Sequence, residues 1–176
     1  MNNNLKKLTL EAHHNAERKK FANLLLSGNI TPQLYHQYLY NQYHNYMALE
    51  SKINIPEIND IKRHEYIKQD LEELEKEYSI EHNTNLCSST EDYIRYVDTL
   101  DQYGLIAHLY VRHFGDMYGG QIIKKRTPGS GSMYDFENVE ELKQKVRNML
   151  ADNMAEEANQ CFNFAIRLFE ELLPNE

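Results

Sequence analysis

The chain has 176 residues, 41% of them hydrophobic, and a net charge of −8 at pH 7, which predicts one domain over residues 1–176 with a buried core. The negative charge argues against nucleic acid as a partner, and no run approaches the roughly 20 apolar residues of a membrane span. Two cysteines in no metal-binding spacing are typical of a reducing compartment, so we expect a soluble, cytoplasmic protein, with a monomer as the simplest state.

The apolar residues recur at helical spacing along the chain, and no segment shows the alternation that is typical of strands. We predict helices over residues 5–26, 31–53, 60–78, 89–102, 139–150 and 152–173, with a glycine-rich helix after the fourth that ends before residue 127. Residues 81–89 and 127–132 are predicted loops. The predicted fold class is therefore an all-α, single-domain helical bundle.

Local signals set several of these bounds. Gly28 is a typical C-terminal stop. Thr31 followed by Pro32 is a typical start, because a capping hydroxyl precedes a proline at the first turn. The other expected caps are Ser89 or Thr90 for the fourth helix and Asn138 for the helix over residues 139–150.

Three glycines interrupt the predicted glycine-rich helix, at Gly115, Gly119 and Gly120. Each costs a helix interior roughly 1 kcal/mol relative to alanine. One interpretation is close packing against another helix, and the other is a ligand that approaches the bare backbone. Asp116, which Arg112 can reach from one turn away, favours a polar ligand site over a dry helix contact.

The segment GDMYGGQ at residues 115–121 resembles the distal-helix signature of the heme oxygenase family, in which the helix backbone lies over the heme. Other segments resemble the same family in the same order along the chain, at residues 5–17, 43–50, 108–125, 142–150 and 166–173. The resemblance implies a single-domain bundle of the heme oxygenase type. Heme would be sandwiched between a proximal N-terminal helix and a kinked, glycine-rich distal helix.

The resemblance also implies an enzyme that cleaves heme b to biliverdin, most often the IXα isomer, with release of carbon monoxide and ferrous iron. Heme would be both substrate and cofactor, and the reaction would consume O2 and electrons. Clustered cations at residues 6–20 and 124–126 favour an acidic ferredoxin as the electron donor, and a flavoprotein reductase is the alternative. A bilin reductase that consumes the product is a further expected partner.

Each of the eight histidines, taken alone, is better explained as a surface or packing residue. The resemblance places His13 at the position of the axial iron ligand. Glu17 lies one turn later, where it can orient the imidazole through a hydrogen bond. His14 points about 100° away around the helix, so we predict His13 as the metal ligand.

On the distal side, the resemblance assigns Asp116 to an ordered water network that delivers a proton to iron-bound peroxide. Tyr46 and Arg112 match further members of that network. The glycines that match the backbone over the heme are Gly115, Gly119 and Gly120.

Heme propionates need cations at one edge of the pocket. By resemblance these are Lys6, Lys143 and Arg147, with Tyr110 close to a propionate. Lys143 and Arg147 are one helical turn apart, so both can face the same anion. Without the resemblance, an ordinary exposed pair would be the better interpretation.

Three residues depart from the family pattern. Tyr118 stands where many relatives have a small residue, and it could narrow the pocket. Ala165 stands where many have an asparagine tied to the distal network, which would leave that network short of one partner. His113 replaces a common aromatic residue.

Three alternatives stay open. A heme carrier or sensor would use the same pocket without turnover. A di-iron oxidase or a hydrolase on a similar bundle is weakly supported, because Glu11 with His14 is the only Glu-x-x-His pair and Cys161 is the only thinkable nucleophile. A simple interaction bundle does not explain three glycines around an aspartate.

Overall fold

The computed structural model describes residues 4–82 and 85–174, and within them it contains ten α-helices, three 3-10 helices and no strand. The α-helices are α1 (Leu5–Leu8), α2 (Leu10–Glu17), α3 (Lys20–Ser27), α4 (Pro32–Glu50), α5 (His64–Tyr78), α6 (Ser88–Val97), α7 (Gln102–Tyr118), α8 (Gly120–Lys124), α9 (Val139–Arg147) and α10 (Ala155–Leu172). The 3-10 helices are Pro56–Ile61, Ser132–Tyr134 and Asp152–Met154. The predicted all-α class is confirmed.

The single helix predicted over residues 5–26 is wrong, because α1, α2 and α3 share this stretch. The first break falls at Thr9, a buried residue whose hydroxyl donates a hydrogen bond to the Leu5 carbonyl at 2.9 Å. Such a side-chain bond to the preceding turn competes with the helix ladder. The second break falls at Lys19, where the backbone is extended and the ammonium pairs with Glu170 of α10 at 2.6 Å.

The signals predicted before α4 are confirmed. Gly28 ends α3 with a left-handed backbone (φ 81°). Thr31 Oγ1 accepts a hydrogen bond from the Leu34 amide at 3.1 Å, and Pro32 is the first residue of α4. The helix ends at Glu50, before the predicted bound at residue 53.

The helix predicted over residues 60–78 begins later, at His64, because Lys62 has an extended backbone (φ −63°, ψ 136°). The carboxylate of Glu50, at the end of α4, accepts hydrogen bonds from the backbone amides of Arg63 at 2.7 Å and His64 at 2.9 Å. The amino terminus of α5 is therefore satisfied by a side chain from a different helix.

The caps predicted for α6 are wrong, because the helix begins at Ser88 and the hydroxyls nearby have other partners. Ser88 and Ser89 both donate to the Glu171 carboxylate of α10, at 2.9 and 3.0 Å. Thr90 donates to Asn41 Oδ1 of α4 at 2.8 Å. These hydroxyls fasten α6 to its neighbours instead of ending its backbone ladder.

The last two helices are shorter than predicted. Asn138 precedes α9 with a left-handed backbone (φ 56°), and its side chain makes no capping hydrogen bond. α9 ends at Arg147 rather than at residue 150. α10 begins at Ala155, after a short 3-10 helix that occupies the predicted first turn.

Helix α7 is largely buried and packs against α4, α9 and α10. Its apolar residues Leu109 and Phe114 belong to one core cluster together with Leu5 of α1 and Leu142 of α9. A second core cluster lies around Phe21 of α3 and includes residues of α4, α5 and α10. Both α2 and α7 pack against α10, so α10 fixes the positions of the two helices that carry His13 and Asp116.

The three glycines have different surroundings. A Cβ on Gly120 would lie 2.4 Å from the ring of Tyr134, which is almost fully buried. A Cβ on Gly115 would meet no heavy atom within 4 Å, and one on Gly119 would meet only the Gly115 carbonyl, at 3.5 Å. Packing against Tyr134 is therefore sufficient to explain Gly120, whose predicted place over a ligand stays a prediction, whereas packing does not explain Gly115.

This difference predicts opposite effects of alanine at the two positions. Gly120→Ala forces a methyl group into the Tyr134 ring and should lower the free energy of unfolding by about 1–3 kcal/mol. Gly115→Ala meets no neighbour and should raise it by up to about 1 kcal/mol, because alanine favours the helix. Urea denaturation followed by circular dichroism measures both. Equal effects of the two substitutions would contradict the packing difference.

Candidate functional site

The centre of the candidate site is a hydrogen bond between two helices. The Tyr46 hydroxyl of α4 donates to Asp116 Oδ2 of α7 at 2.6 Å. Tyr46 is almost fully buried and Asp116 is partly buried. Burial raises the pKa of Asp116 to about 6, although the neighbouring His113 and the hydrogen bond from Tyr46 act in the opposite direction. Asp116 can therefore exchange a proton near neutral pH.

Arg112 is placed differently from the sequence prediction. In the described part of the chain, no hydrogen bond or ion pair joins it to Asp116. Its Nε donates to the Tyr93 hydroxyl at 3.1 Å, and its Nη1 donates to Gln42 Oε1 at 3.5 Å. The guanidinium also lies 4.2 Å from the centre of the Tyr93 ring. Arg112 is thus held by α4 and α6, and it acts on Asp116 only through its charge.

The contacts of Arg112 continue into a buried polar network. The Tyr93 hydroxyl, which accepts from Arg112, lies 2.9 Å from Nδ1 of His108. The other ring nitrogen of His108 lies 3.0 Å from Glu157 of α10, which also accepts from Tyr96. This network fastens α7 to α6 and α10, and no local sequence pattern predicts it.

Two of the predicted propionate cations, Lys143 and Arg147, lie together at one edge of α7. Lys143 is buried, and its Nζ lies 3.7 Å from the centre of the Tyr118 ring. Arg147 Nη2 donates to the Tyr118 hydroxyl at 2.6 Å. Tyr110 packs on Phe114 at 5.1 Å, and Phe114 lies between Tyr110 and Tyr118 along the helix. Tyr118, which departs from the family pattern, is therefore the side chain that both cations contact.

Lys6 is exposed, at the start of the chain. Its neighbour Leu5 is fully buried in the same core cluster as Leu142 and Val146 of α9. Helix α1 packs against α2 and the 3-10 helix at residues 152–154. Among the described residues no hydrogen bond or ion pair involves the Lys6 ammonium, so its role at a propionate stays a prediction.

On the proximal side, the predicted partners are in contact. His13 Nε2 lies 2.9 Å from Glu17 Oε1, and both side chains are about half exposed. The imidazole also stacks on Phe162 of α10, with 5.5 Å between ring centres and 19° between the planes. Phe162 thus covers one face of the imidazole ring.

Two of the alternative sites find little support in the described residues. Across residues 4–82 and 85–174, no group of three or more His, Cys, Asp or Glu side chains is arranged to hold a metal ion, which is the ligand set that a di-iron site requires. Cys161 is fully buried, and its thiol faces the His108 carbonyl at 3.9 Å. A cavity of about 340 Å³ lies between α4 and α5, and none of the candidate residues lines it.

The family model for heme oxygenase matches residues 1–171. Heme oxygenase 2 of the rabbit, Oryctolagus cuniculus, is 29% identical over 202 residues, which cover 96% of this chain and 64% of that protein. Heme oxygenase of the red alga Rhodella violacea is 30% identical, over 97% of this chain and 86% of that protein. The chain thus spans less than two thirds of the length of the mammalian relative.

Solved structures of heme oxygenases have a similar fold. Heme oxygenase from Leptospira interrogans superposes with a TM-score of 0.79 at 25% identity, over 96% of this chain and 97% of that one. Heme oxygenase-1 from the cyanobacterium Synechocystis, in complex with heme, superposes with a TM-score of 0.80 at 23% identity, over 96% and 90%. The bundle is therefore of the heme oxygenase type. Since the family model covers nearly the whole chain, the chain belongs to the heme oxygenase family.

The structure adds three side chains that sequence reasoning did not assign to the site: Phe114, Tyr93 and Phe162. Tyr110, Phe114 and Tyr118 recur at intervals of four, a spacing that predicts an aromatic stripe on one face of a helix. That signal was visible in the sequence. The partners Tyr93 and Phe162 come from other helices, and no local pattern could have identified them.

The raised pKa of Asp116 predicts a pH-dependent effect of removing its charge. Because the folded-state pKa of about 6 exceeds the unfolded value of about 4, the folded protein loses stability as the pH rises from about 4 to about 6. Asp116→Asn should therefore raise the free energy of unfolding at pH 7.5 by about 1–3 kcal/mol, and the gain should vanish near pH 4. Urea denaturation at several pH values measures this.

The matched control is Asp60→Asn, which changes an exposed carboxylate and should have little effect at any pH. If Asp116→Asn lowers the free energy of unfolding at pH 7.5, or raises it equally at every pH, then burial of the ionised Asp116 carboxylate does not destabilise the fold.

Proposed function

We propose that this chain is a heme oxygenase in activity as well as in family. It binds heme as its substrate and uses O2 and electrons to open the macrocycle, and the products are biliverdin, carbon monoxide and ferrous iron. The proposed isomer is IXα, the one that the family resemblance implies. The observation that carries the proposal is the open space beside Gly115, one residue before a carboxylate that titrates near neutral pH.

The residues suit heme on three counts. A flat macrocycle can approach Gly115 and Gly119, because both are exposed and neither meets a side chain. Lys143 and Arg147 present two cations on one helix, which suits a dicarboxylate better than a neutral ligand. His13 offers an exposed imidazole on a helix that packs against α10, as α7 does.

The proximal residues would hold the iron. The Glu17 carboxylate lies 2.9 Å from Nε2 of the His13 ring, and a carboxylate at one ring nitrogen would orient the imidazole while the other nitrogen binds a metal. Stacking on Phe162 restricts rotation of the ring. The imidazole is therefore oriented before the ligand arrives, and less entropy is lost on binding.

The cationic edge would hold the propionates. Lys143 and Arg147 contact Tyr118 in this structure, so a bound carboxylate would exchange with or join the Tyr118 contacts. Tyr110 lies on α7, which packs against α9, and Tyr110 and Lys6 would complete the edge. Pairing of carboxylate with Arg and Lys at a partly buried edge fixes the orientation of a ligand as well as its affinity.

The distal residues would handle protons. When bound, the heme supplies the iron at which O2 is activated. Asp116 can hold a proton at its carboxylate or release it to water, and Tyr46 fixes one carboxylate oxygen by its hydrogen bond. Arg112 and Gly115 lie on the same helix and belong to the proposed machinery, Arg112 through its charge and Gly115 through its bare backbone.

We infer that the electrons come from an acidic protein, with a ferredoxin preferred over a flavoprotein reductase. The exposed cations near the N-terminus are Lys6, Lys7, Arg18 and Lys20. Lys19 and Lys124 are already paired, with Glu170 and Asp135, so the cationic surface is smaller than the sequence suggests. A downstream bilin reductase would be a partner through the product. Within the described residues, no helix is long and apolar enough to cross a bilayer.

The first test of the proposal uses two adjacent histidines. Hemin added to the purified protein should give a Soret band with a one-to-one end point. His13→Ala should weaken hemin binding and change the band, because the axial ligand is lost, and added imidazole should restore the band. His14→Ala is the control and should bind hemin as the unchanged chain does.

Turnover is tested on the same complexes. Ferredoxin, its reductase and NADPH should convert the hemin complex to a bilin with release of carbon monoxide, and chromatography identifies the isomer. Asp116→Ala should bind hemin but form little bilin. Tight hemin binding without any bilin would support a carrier or sensor instead, and equal binding by the His13→Ala and unchanged chains would overturn the proposed site.

A second prediction separates binding from stability at Gly115. Gly115→Leu places a side chain where the macrocycle is proposed to lie, so the dissociation constant for hemin should rise about tenfold or more. The fold should remain intact, because no neighbour lies within 4 Å of the new Cβ. Gln69→Leu, at an exposed position of α5, is the control for an added apolar side chain. Unchanged hemin affinity in Gly115→Leu would exclude a ligand at this helix face.

A further inference from the structure

His113 faces hydrogen-bond acceptors at both ring nitrogens. Nε2 lies 2.6 Å from Glu50 Oε2, and Nδ1 lies 3.2 Å from the Leu109 carbonyl oxygen. The side chains of His113 and Glu50 have no exposed surface. A neutral imidazole has one donor and one acceptor nitrogen, so it could satisfy both contacts only if Glu50 were protonated.

Glu50 is not placed to be protonated. Besides His113, its carboxylate accepts from the backbone amides of Arg63 and His64 and lies 2.7 Å from Nδ1 of His64. Two backbone amides and the His64 ring face this carboxylate, and hydrogen bonds to a carboxylate favour its ionised form. An ionised Glu50 requires His113 to donate from both nitrogens, which makes His113 an imidazolium.

The other buried histidine of α7 does not have this constraint. His108 faces the Tyr93 hydroxyl at Nδ1 and Glu157 at Nε2. The Tyr93 hydroxyl accepts from Arg112 and can donate its own proton to Nδ1 of His108. His108 can therefore satisfy both contacts with a single ring proton, whereas His113 cannot.

The charge of His113 lies next to the distal carboxylate. His113 precedes Asp116 by three residues in α7, so the two side chains are neighbours on the helix surface. The His113 ring also contacts the Tyr46 ring, with 5.1 Å between centres, and Tyr46 is the donor that fixes Asp116.

We propose that His113 is a positioning residue of fixed positive charge, which Glu50 and His64 hold in the core so that Asp116 can ionise. The proposal rests on the proposed function, because that function assigns the proton exchange to Asp116. No covalent step is involved. The only change is a proton moving between the Asp116 carboxyl group and water.

Charged and titratable groups from several elements face Asp116. Besides His113 they are Tyr38 and Tyr46 of α4, Arg63 before α5, Arg112 of α7 and Tyr134 of the 3-10 helix at residues 132–134. Arg63 is bonded to backbone carbonyls and Arg112 to Tyr93 and Gln42. Among the groups that lower the pKa of Asp116, His113 has the largest effect.

Two measurements on the heme-free protein test the proposal. In the unchanged chain, nitrogen-15 NMR of the imidazoles at pH 7 should show both ring nitrogens of His113 protonated. With carbon-13 labelled aspartate, and Asp116→Asn for assignment, Asp116 should titrate about one pH unit or more higher in His113→Gln. Glutamine keeps a donor for Glu50 and removes the charge, so loss of a hydrogen bond alone would not produce this shift.

The control is His36→Gln, which removes the imidazole of another buried histidine–glutamate pair, His36 with Glu75 at 2.9 Å. His36 lies ten residues before Tyr46 in α4. The His36→Gln substitution should therefore change the pKa of Asp116 by less than about 0.3 unit. A neutral His113 in the unchanged chain would overturn the proposal even if His113→Gln did not fold. An unchanged or lower pKa of Asp116 in His113→Gln would overturn the proposal as well. Neither measurement uses heme or turnover, so failure here is distinct from failure of the proposed function.

Discussion

The hydrogen bond from Tyr46 to Asp116 is the contact on which the candidate site depends. It joins the long helices α4 and α7 beside Gly115, where α7 has no side chain. A carboxylate so placed would be costly to bury without a donor, and the phenol supplies one without adding a charge. The same bond holds one oxygen of Asp116 still, which leaves the other available to water.

Helix α7 presents three different faces to its surroundings. Its buried polar side chains, His108, Arg112 and His113, are bonded to α4, α6 and α10. Its aromatic stripe meets the cations of α9. Its third face has no side chain at Gly115. A ligand on that face would touch peptide backbone, with cations at one end and a titratable carboxylate beside it, so one helix can supply contact, orientation and proton exchange.

Three buried histidines are paired with glutamates from other helices: His36 with Glu75, His108 with Glu157 and His113 with Glu50. Replacing one partner alone would leave a buried polar group unsatisfied, which is costly. Such pairs stabilise one register of the helices over others, because each bond forms only when two specific turns lie side by side. The Glu50 carboxylate also accepts hydrogen bonds from the two backbone amides at the start of α5.

The sequence by itself determined the helical class, the start of α4 at Thr31 and Pro32, the glycine cluster beside Asp116, and the family, because these depend on spacing along the chain. It also placed Lys143 and Arg147 on one face, since one helical turn separates them. The breaks at Thr9 and Lys19, the partners of Arg112 and the charge of His113 were decided only by the tertiary structure. Their bonding groups come from residues distant in the sequence. A side chain buried among such groups takes the partner and the protonation state that satisfy all its neighbours, and local spacing contains no information about who those neighbours are.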